Sequence, residues 1–203
     1  LTATPKNNDH MFVKWEATGV TLTDVNKPTI TFTMGKNDVE IKAKFKEKDA
    51  VSYGFGGAEF IYNGNPQAPT FNPNSGEDLN MDIKVEYFAR GGNTPIEKPT
   101  NAGKYTMQVT YTSSAASGFK TTVAKCDFEI KKANQNKPDA PTVDNINYDS
   151  FVVAFVGNQE YAINTTGEEP TKWAARITTT GLNPATDYYV FTRVKGNDNY
   201  NPS

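Results

Sequence analysis

Leu182-Asn183-Pro184-Ala185-Thr186-Asp187-Tyr188 leads directly into an alternating pattern at residues 188–194. A tyrosine at the entry of such a strand can bond its hydroxyl to upstream backbone and fix the corner between two sheets. Tyr188, Val190 and Val194 share one face of the expected strand, which leaves Tyr189 and Phe191 on the other. This stretch predicts a two-layered β-sandwich at the end of the chain.

Alternation with a period of two recurs upstream, and helical periodicity is nearly absent. Ile30, Phe32 and Met34 alternate with threonines before a turn at residues 35–38, and residues 39–45 alternate after it. This pattern predicts a hairpin with one buried face. Asn63-Gly64, after Phe60-Ile61-Tyr62, predicts the tight turn of another hairpin.

Further strands are predicted where apolar residues recur in phase. In the middle of the chain the in-phase residues are Met81, Ile83, Val85 and Tyr87, then Tyr105, Met107, Val109 and Tyr111, then Cys126, Phe128 and Ile130. Near the end, strands are expected at residues 151–156, 161–164, 173–178 and 188–194. The expected core anchors are Trp15, Tyr105, Trp173 and Tyr188.

Two polar stretches divide these strands into blocks. Residues 46–49 are charged, and residues 131–141 are polar and interrupted by prolines, as is typical of linkers. The expected fold is therefore all-β, with three small consecutive modules at residues 1–49, 50–133 and 134–203.

Charge and composition exclude several classes of protein. The net charge is -2 and no basic stripe is present, which argues against a nucleic-acid partner. The longest apolar run, residues 151–156, is too short to insert in a membrane. With one cysteine, Cys126, no disulfide can form within the chain. The absence of an initial methionine or signal segment leads us to expect a fragment of a longer protein. We expect this fragment to be monomeric.

The first block resembles the divergent internalin B-type repeat of bacterial surface proteins. The resemblance is carried by Phe12-x-x-Trp15, by Phe32-Thr33-Met34 and by residues 38–45. Residues 1–5 match a strand that, in members of this family, follows at least one earlier strand. The first module is therefore expected to be an incomplete β-sheet repeat.

The second block resembles the MBG-type bacterial Ig-like domain through Tyr62-Asn63-Gly64, residues 99–105 and residues 128–133. The third is similar to fibronectin type III-like repeats through residues 159–163, Trp173 and the corner stretch. These resemblances imply Ig-like and fibronectin III-like sandwiches in a secreted or wall-attached bacterial protein. None of the three families is an enzyme.

The chain also lacks the residues of a catalytic or metal site. His10 is the only histidine, it lies in an expected hairpin loop, and nucleophilic catalysis needs a base beside the nucleophile. One histidine and one cysteine cannot complete a zinc site. Cys126 lies in phase with Phe128, which predicts a small core residue. We therefore expect no enzyme, no catalytic residue, no metal and no cofactor.

Other polar motifs have simple interpretations. The acidic pairs Glu77-Asp78 and Glu168-Glu169 are expected in solvated loops. Gly54-Phe55-Gly56-Gly57 lacks the spacing of a phosphate-binding loop and is interpreted as a strand-edge bulge or a flexible entry. The acids of the second linker are weak calcium candidates: Asp139, Asp144 and Asp149.

Exposed aromatic rings could stack on sugars. Tyr189 and Phe191 are the sharpest candidates for glycan binding, and Phe88, Tyr53 and Tyr200 are weaker ones. The competing interpretation, which we favour, is that such rings pair across strands or pack on the adjacent module. Lys-to-Asn isopeptide cross-links are a further hypothesis, and intact mass would detect them because each bond releases one ammonia.

The expected function is a non-catalytic stalk, spacer or adhesion segment of a bacterial cell-surface or secreted protein. Its partner would be an unidentified extracellular protein or glycan. The alternative is an accessory or glycan-binding region of a secreted carbohydrate-active enzyme whose catalytic domain lies outside the sequence.

Overall fold

The computed structural model describes residues 1–74 and 82–203. All regular elements of these residues are β-strands, which confirms the predicted fold class. No helix among them is long and apolar enough to cross a membrane. The strands are β1 (His10–Thr18), β2 (Glu40–Glu47), β3 (Asp49–Ala50), β4 (Tyr53–Gly56), β5 (Glu59–Ile61), β6 (Thr70–Pro73), β7 (Asp82–Ala89), β8 (Pro95–Ile96), β9 (Gly103–Thr112), β10 (Phe119–Lys120), β11 (Thr122–Lys131), β12 (Val143–Asp144), β13 (Val152–Val153), β14 (Gln159–Asn164) and β15 (Tyr189–Val194).

The chain divides into two compact units, which are described separately. Unit 1 comprises Leu1–Ala58, Ala68–Pro99 and Lys104–Phe128. Unit 2 comprises Glu59–Gln67, Thr100–Gly103 and Glu129–Ser203. The division into modules at residues 1–49, 50–133 and 134–203 stays a prediction.

In unit 1, β1 and β2 form an antiparallel pair that buries Trp15. Trp15 lies opposite Ala43, and a bulge between Phe12 and Lys14 brings Phe12 and Trp15 to the same face, with ring centroids 5.6 Å apart. The Trp15 side chain is 6% exposed and packs with Ala3 and Ile30, while its Nε1 donates to the Lys27 carbonyl at 2.8 Å. Trp15 is therefore a core anchor, as predicted.

The hairpin predicted between residues 30–34 and 39–45 is wrong. The strand partner of β2 is β1, and residues 30–34 form no strand. Ile30 is buried, but its backbone N–H bonds to the Leu1 carbonyl, and the Met34 side chain is 66% exposed. Pairing with β1 places the apolar face of β2 against the large Trp15 indole, which a local hairpin would leave uncovered.

The larger sheet of unit 1 runs in the order β11, β9, β7 and β8, and β4 pairs separately with β6. β7 and β9 are antiparallel with Val85 opposite Val109, and the in-phase residues Met107, Val109 and Phe128 are at most 1% exposed. The half-buried Tyr105 packs on Phe128, with ring centroids 5.6 Å apart. The predicted strands are confirmed here, except that Met81 lies outside the described residues.

The hairpin predicted at Asn63-Gly64 is also wrong. β5 pairs in parallel with the 129–131 end of β11 in unit 2, so its hydrogen bonds go to a distant part of the sequence. Gly64 has a φ of +80°, and the Asn65 N–H bonds to the Asn63 side chain, which makes a local turn without a returning strand.

In unit 2, β14 and β15 are antiparallel, with Ile163 opposite Val190, and β12 pairs with β13. The buried cluster contains Phe151, Val153 and Tyr161. The predicted corner is confirmed, because the Asn183 N–H donates to the Tyr188 hydroxyl at 3.0 Å.

Two other predictions fail in unit 2. Residues 173–178 form no strand. This segment meets β14 through an isolated antiparallel bridge between Ala174 and Tyr161. Trp173 is half-buried, lies outside the buried cluster, and has the Arg193 guanidinium 4.4 Å from its ring centroid. Tyr161 fills the core instead. Because successive residues of an extended segment face opposite sides, this bridge places Trp173 on the outer face.

Candidate functional site

The predicted boundary after residue 49 falls inside a hydrogen-bonded cluster of unit 1. We call this cluster the Ser113 network; it comprises Asn8, Asp9, Lys48, Ser113, Ser114, Phe119 and Thr121. Ser113 is buried, with 5% exposure. Its Oγ lies 2.7 Å from the Asn8 carbonyl oxygen and 2.8 Å from the Phe119 carbonyl oxygen. One hydroxyl proton serves two acceptors, and Asn8 Nδ2 returns a bond to the Ser113 carbonyl at 3.3 Å.

Lys48 is buried in the same network, with 4% exposure. Its Nζ donates to the Ser114 carbonyl at 2.8 Å, and its backbone N–H donates to the Asp9 carbonyl at 2.8 Å. Residues 46 and 47 end β2, and Asp49 begins β3, which pairs in parallel with β10. Lys46, Glu47 and Asp49 are exposed, whereas Lys48 between the two strands is buried. The interpretation of residues 46–49 as a linker stays a prediction.

Two carboxylates strengthen this region electrostatically. Asp9 Oδ1 accepts the Thr121 backbone N–H at 2.7 Å, and this bond holds the pKa of the Asp9 carboxyl below its ordinary value of 3.8. Glu47 accepts Lys120 Nζ at 2.7 Å, which lowers the pKa of Glu47 and raises that of Lys120. Both carboxylates are stabilised in their charged form.

A second cluster lies in unit 2, around the predicted boundary after residue 133. We call it the Asn199 network; it comprises Tyr62, Asn101, Ala102, Lys132, Ala133, Gln135, Asn197, Asn199, Tyr200 and Asn201. Asn199 Oδ1 accepts the Ala102 N–H at 2.8 Å, and its backbone carbonyl accepts the Ala133 N–H at 3.0 Å. The rings of Tyr62 and Tyr200 meet edge to face, with centroids 5.2 Å apart.

The first part of the predicted 131–141 linker is held in this network. Lys132 Nζ donates to the Asn197 carbonyl at 2.6 Å, and Gln135 Nε2 donates to the Asn201 carbonyl at 2.7 Å. Lys132 and Gln135 are therefore bonded within unit 2, and the boundary after residue 133 stays a prediction. Their polar side chains are explained by these bonds.

Tyr189 and Phe191, the predicted glycan-binding residues, lie on the outer face of β15. The Tyr189 side chain is 47% exposed, and its ring lies so close to Gly167 that a Cβ there would be 3.2 Å from ring carbons. Phe191 is half-buried opposite Ala162.

The same face carries an ordered charge pair that the sequence patterns did not reveal. The Arg193 guanidinium bonds to Glu160 Oε2 at 2.7 Å while it covers the Trp173 ring. The outer face thus holds Glu160, Trp173, Tyr189, Phe191 and Arg193, and part of its aromatic area is already used in packing.

The remaining candidates lie in strands. His10 begins β1 and is not in a loop, and its Nδ1 lies 2.7 Å from Asn7 Oδ1. Cys126 is half-buried in phase with Phe128, and burial raises the pKa of its thiol, which disfavours the reactive thiolate. Gly54 and Gly56 belong to the regular strand β4, so the interpretation as a bulge or flexible entry is wrong.

Metal ligands do not converge in the part of the chain that the structure describes. No group of three or more His, Cys, Asp or Glu side chains is placed to hold an ion there, so the calcium candidates Asp139, Asp144 and Asp149 do not form a site together. In the loop of the second acidic pair, the Glu168 carbonyl accepts a bond from Asn164 Nδ2. The pair Glu77-Asp78 lies outside the described residues.

Alternation could not have revealed either network. Asn8 and Ser113 are 105 residues apart, and Ala102 and Asn199 are 97 apart. The asparagines at positions 197, 199 and 201 are a sequence signal for the Asn199 network, because asparagine side chains commonly bond to nearby backbone in turns.

The comparisons with known proteins bear on the first segment. The chain has no significant match among curated proteins and none among solved structures. The MBG-type and fibronectin III-like resemblances of residues 50–203 stay predictions. Residues 1–49 match the family described as the divergent InlB B-repeat domain, so the resemblance of the first segment to this repeat of bacterial surface proteins is confirmed.

Proposed function

We propose that the chain is a non-catalytic stalk or spacer segment of a bacterial cell-surface or secreted protein, acting outside the cell and holding an adhesive part away from its anchor. The family match of residues 1–49 supports the surface-protein setting. The observation that carries the spacer role is the Ser113 network, with Lys48 and Ser113 buried beside the predicted boundary.

A spacer transmits position only if its joints resist bending. A flexible linker of small polar residues behaves as a random coil and would allow wide motion. Bending at residue 49 would instead separate Lys48 from the Ser114 carbonyl and Ser113 from Asn8, and it would leave buried polar groups without partners. We infer that this joint favours one geometry.

The test is a distance measurement between two spin labels within unit 1. In a Cys126→Ser background, labels at Lys36→Cys and Lys98→Cys report on exposed positions on either side of the predicted boundary. Electron–electron double resonance should give one narrow distance distribution. Ser113→Ala combined with Asn8→Ala should broaden it.

Ser114→Ala is the matched control, because it keeps the backbone carbonyl that Lys48 uses. Its distribution should stay narrow. A distribution that is already broad in the parent chain would contradict the spacer proposal.

The alternative function is an accessory glycan-binding region of a secreted carbohydrate-active enzyme. It is favoured by the 47% exposure of Tyr189 beside Phe191 and Trp173 on one face of unit 2. Retention of the chain by insoluble polysaccharides tests this function. Binding that is lost in Tyr189→Ala, and kept in the control Tyr148→Ala, would support it. No retention of the parent chain would exclude it for the polysaccharides used.

A further inference from the structure

The outer face of the unit 1 sheet carries a polar cleft of about 710 Å³. Residues of β7, β9 and β11 form its floor, and the turn after β7 forms one wall. Phe88 is its single large apolar side chain, and the other lining side chains are polar: Asn93, Thr106, Gln108, Lys125 and Asp127. Two of its residues, Gly91 and Gly92, have no side chain.

The floor is built by cross-strand rows of side chains. Phe88 lies opposite Thr106 in the β7–β9 register, and Thr106 Oγ1 donates to Asp127 Oδ1 at 2.6 Å. These side chains point away from the core, because the alternate residues Met107 and Val109 are completely buried. The sheet therefore holds Phe88, Thr106 and Asp127 in a fixed line.

The turn that forms the wall contains two glycines, Gly91 and Gly92. Gly91 has a φ of +78°, a conformation that favours glycine, and a Cβ at this position would meet no atom within 4 Å. The turn therefore leaves space above the floor, and Asn93 lines the cleft directly after it.

Lys125 and Asp127 are the two charged residues that line the cleft. Asp127 Oδ2 lies 3.5 Å from Arg90 Nε, and the neighbouring Lys84 and Glu86 pair with each other at 2.7 Å. Lys125 is exposed and forms no ion pair with any residue of the described ranges. An anionic group is therefore the complement of this cleft.

The other lining groups indicate what should carry that anion. Gln108 and Asn93 present planar amides that can donate to and accept from hydroxyl groups, and Phe88 offers a ring face to C–H groups. Adjacent strands lie about 4.8 Å apart, which is comparable to the length of one sugar unit. A chain of hydroxylated rings with carboxylates uses all of these groups.

We propose that this cleft binds an acidic oligosaccharide, with Lys125 on a sugar carboxylate, Gln108 and Asn93 on hydroxyls, and Phe88 against a ring face. The site extends the glycan-binding alternative to a second surface and does not depend on the spacer role.

The test is a titration of the ¹⁵N-labelled chain with trigalacturonic acid, cellotriose and a tetraglutamate peptide. Trigalacturonic acid should give saturable shifts at the backbone amides of Gly91, Gly92, Asn93, Gln108 and Lys125. Lys125→Met should weaken its binding by about tenfold or more, because a bond to a charged partner is lost. Gln108→Ala should weaken it less. Lys36→Met changes the net charge equally at an exposed loop lysine and should leave binding unchanged.

Three results would overturn the proposal: equal binding of cellotriose, a preference for the tetraglutamate peptide, or no saturable shift with trigalacturonic acid. Lys125→Met should leave the spin-label distances of unit 1 unchanged. The titration therefore tests the saccharide site, and the spin-label distances test the spacer proposal, independently of each other.

Discussion

β7 and β9 of unit 1 span 8 and 10 residues and pair along their whole shared length, whereas the strands around the buried cluster of unit 2 span two to six residues. The core of unit 1 lies under this long ladder, with Met107, Val109 and Phe128 at most 1% exposed. Backbone hydrogen bonds and apolar burial reinforce each other there.

In unit 2, where the strands are short, tyrosine hydroxyls hold neighbouring segments together. The Tyr161 hydroxyl accepts the Val156 N–H at 2.8 Å and lies 3.0 Å from Gln159 Oε1, so it ties a loop to the cluster. In unit 1 the Tyr53 hydroxyl is buried with no hydrogen-bond partner among the described residues, and burial raises its pKa. The comparison teaches that the same residue type supports the core by its ring in one unit and by its hydroxyl in the other.

Removing a large core ring should have the largest effect. Phe128→Ala should lower the free energy of unfolding of unit 1 by about 3–5 kcal/mol, since it leaves a cavity under the ladder. Denaturant unfolding followed by the Trp15 indole N–H signal measures this. Val123→Ala, at a 53% exposed position of the same strand, is the control and should change stability little. A loss below about 1 kcal/mol for Phe128→Ala would show that the ladder alone holds unit 1.

Tyr161→Phe should lower the stability of unit 2 by about 1–3 kcal/mol, because the Val156 N–H loses its acceptor and Gln159 Oε1 loses its donor. The Trp173 indole N–H signal reports on this unit. Tyr53→Phe in unit 1, where no described bond is lost, should be neutral or slightly stabilising. Equal losses in the two variants would contradict the distinction between the units.

Tyr188→Phe should cost about 1 kcal/mol in unit 2, since it removes the corner bond from Asn183 at an exposed site. Tyr189→Phe, one residue later, is the control and should melt like the parent. If Tyr188→Phe also melts unchanged, the corner bond does not stabilise the unit.

The smallest effect concerns pH in unit 1. Because folding lowers the pKa of Asp9 and Glu47, their contribution to stability is present above the ordinary values of 3.8 and 4.5 and is lost as the pH falls below them. Unfolding measured between pH 7 and pH 3 should show unit 1 weakening at the acid end. Asp9→Asn should flatten part of this slope, and an unchanged slope would exclude Asp9 as a contributor.

Sequence patterns predicted the strands well wherever alternation was strict, as at Tyr105, Met107 and Val109. They failed where the question was which strand pairs with which. Residues 30–34 alternate convincingly, yet covering Trp15 required β2 to pair with β1. Alternation defines the faces of a strand and does not identify its partner.

The Ser113 and Asn199 networks could not be predicted from the sequence for a related reason. Ser113 and Asn199 each form two hydrogen bonds to segments about 100 positions away, and polar residues carry no periodic signal for such contacts. Tyr188 was predictable because its bond reaches only five residues upstream, to Asn183.

The burial of Lys48 has a consequence for chemical labelling. Acylation needs an accessible lysine amine in its neutral, nucleophilic form, and Lys48 is 4% exposed with its Nζ donating to the Ser114 carbonyl. The neighbouring Lys46 is exposed and should react at once. Lys48 should react only during transient local opening, so its acylation rate measures how often this segment of unit 1 opens in the native state.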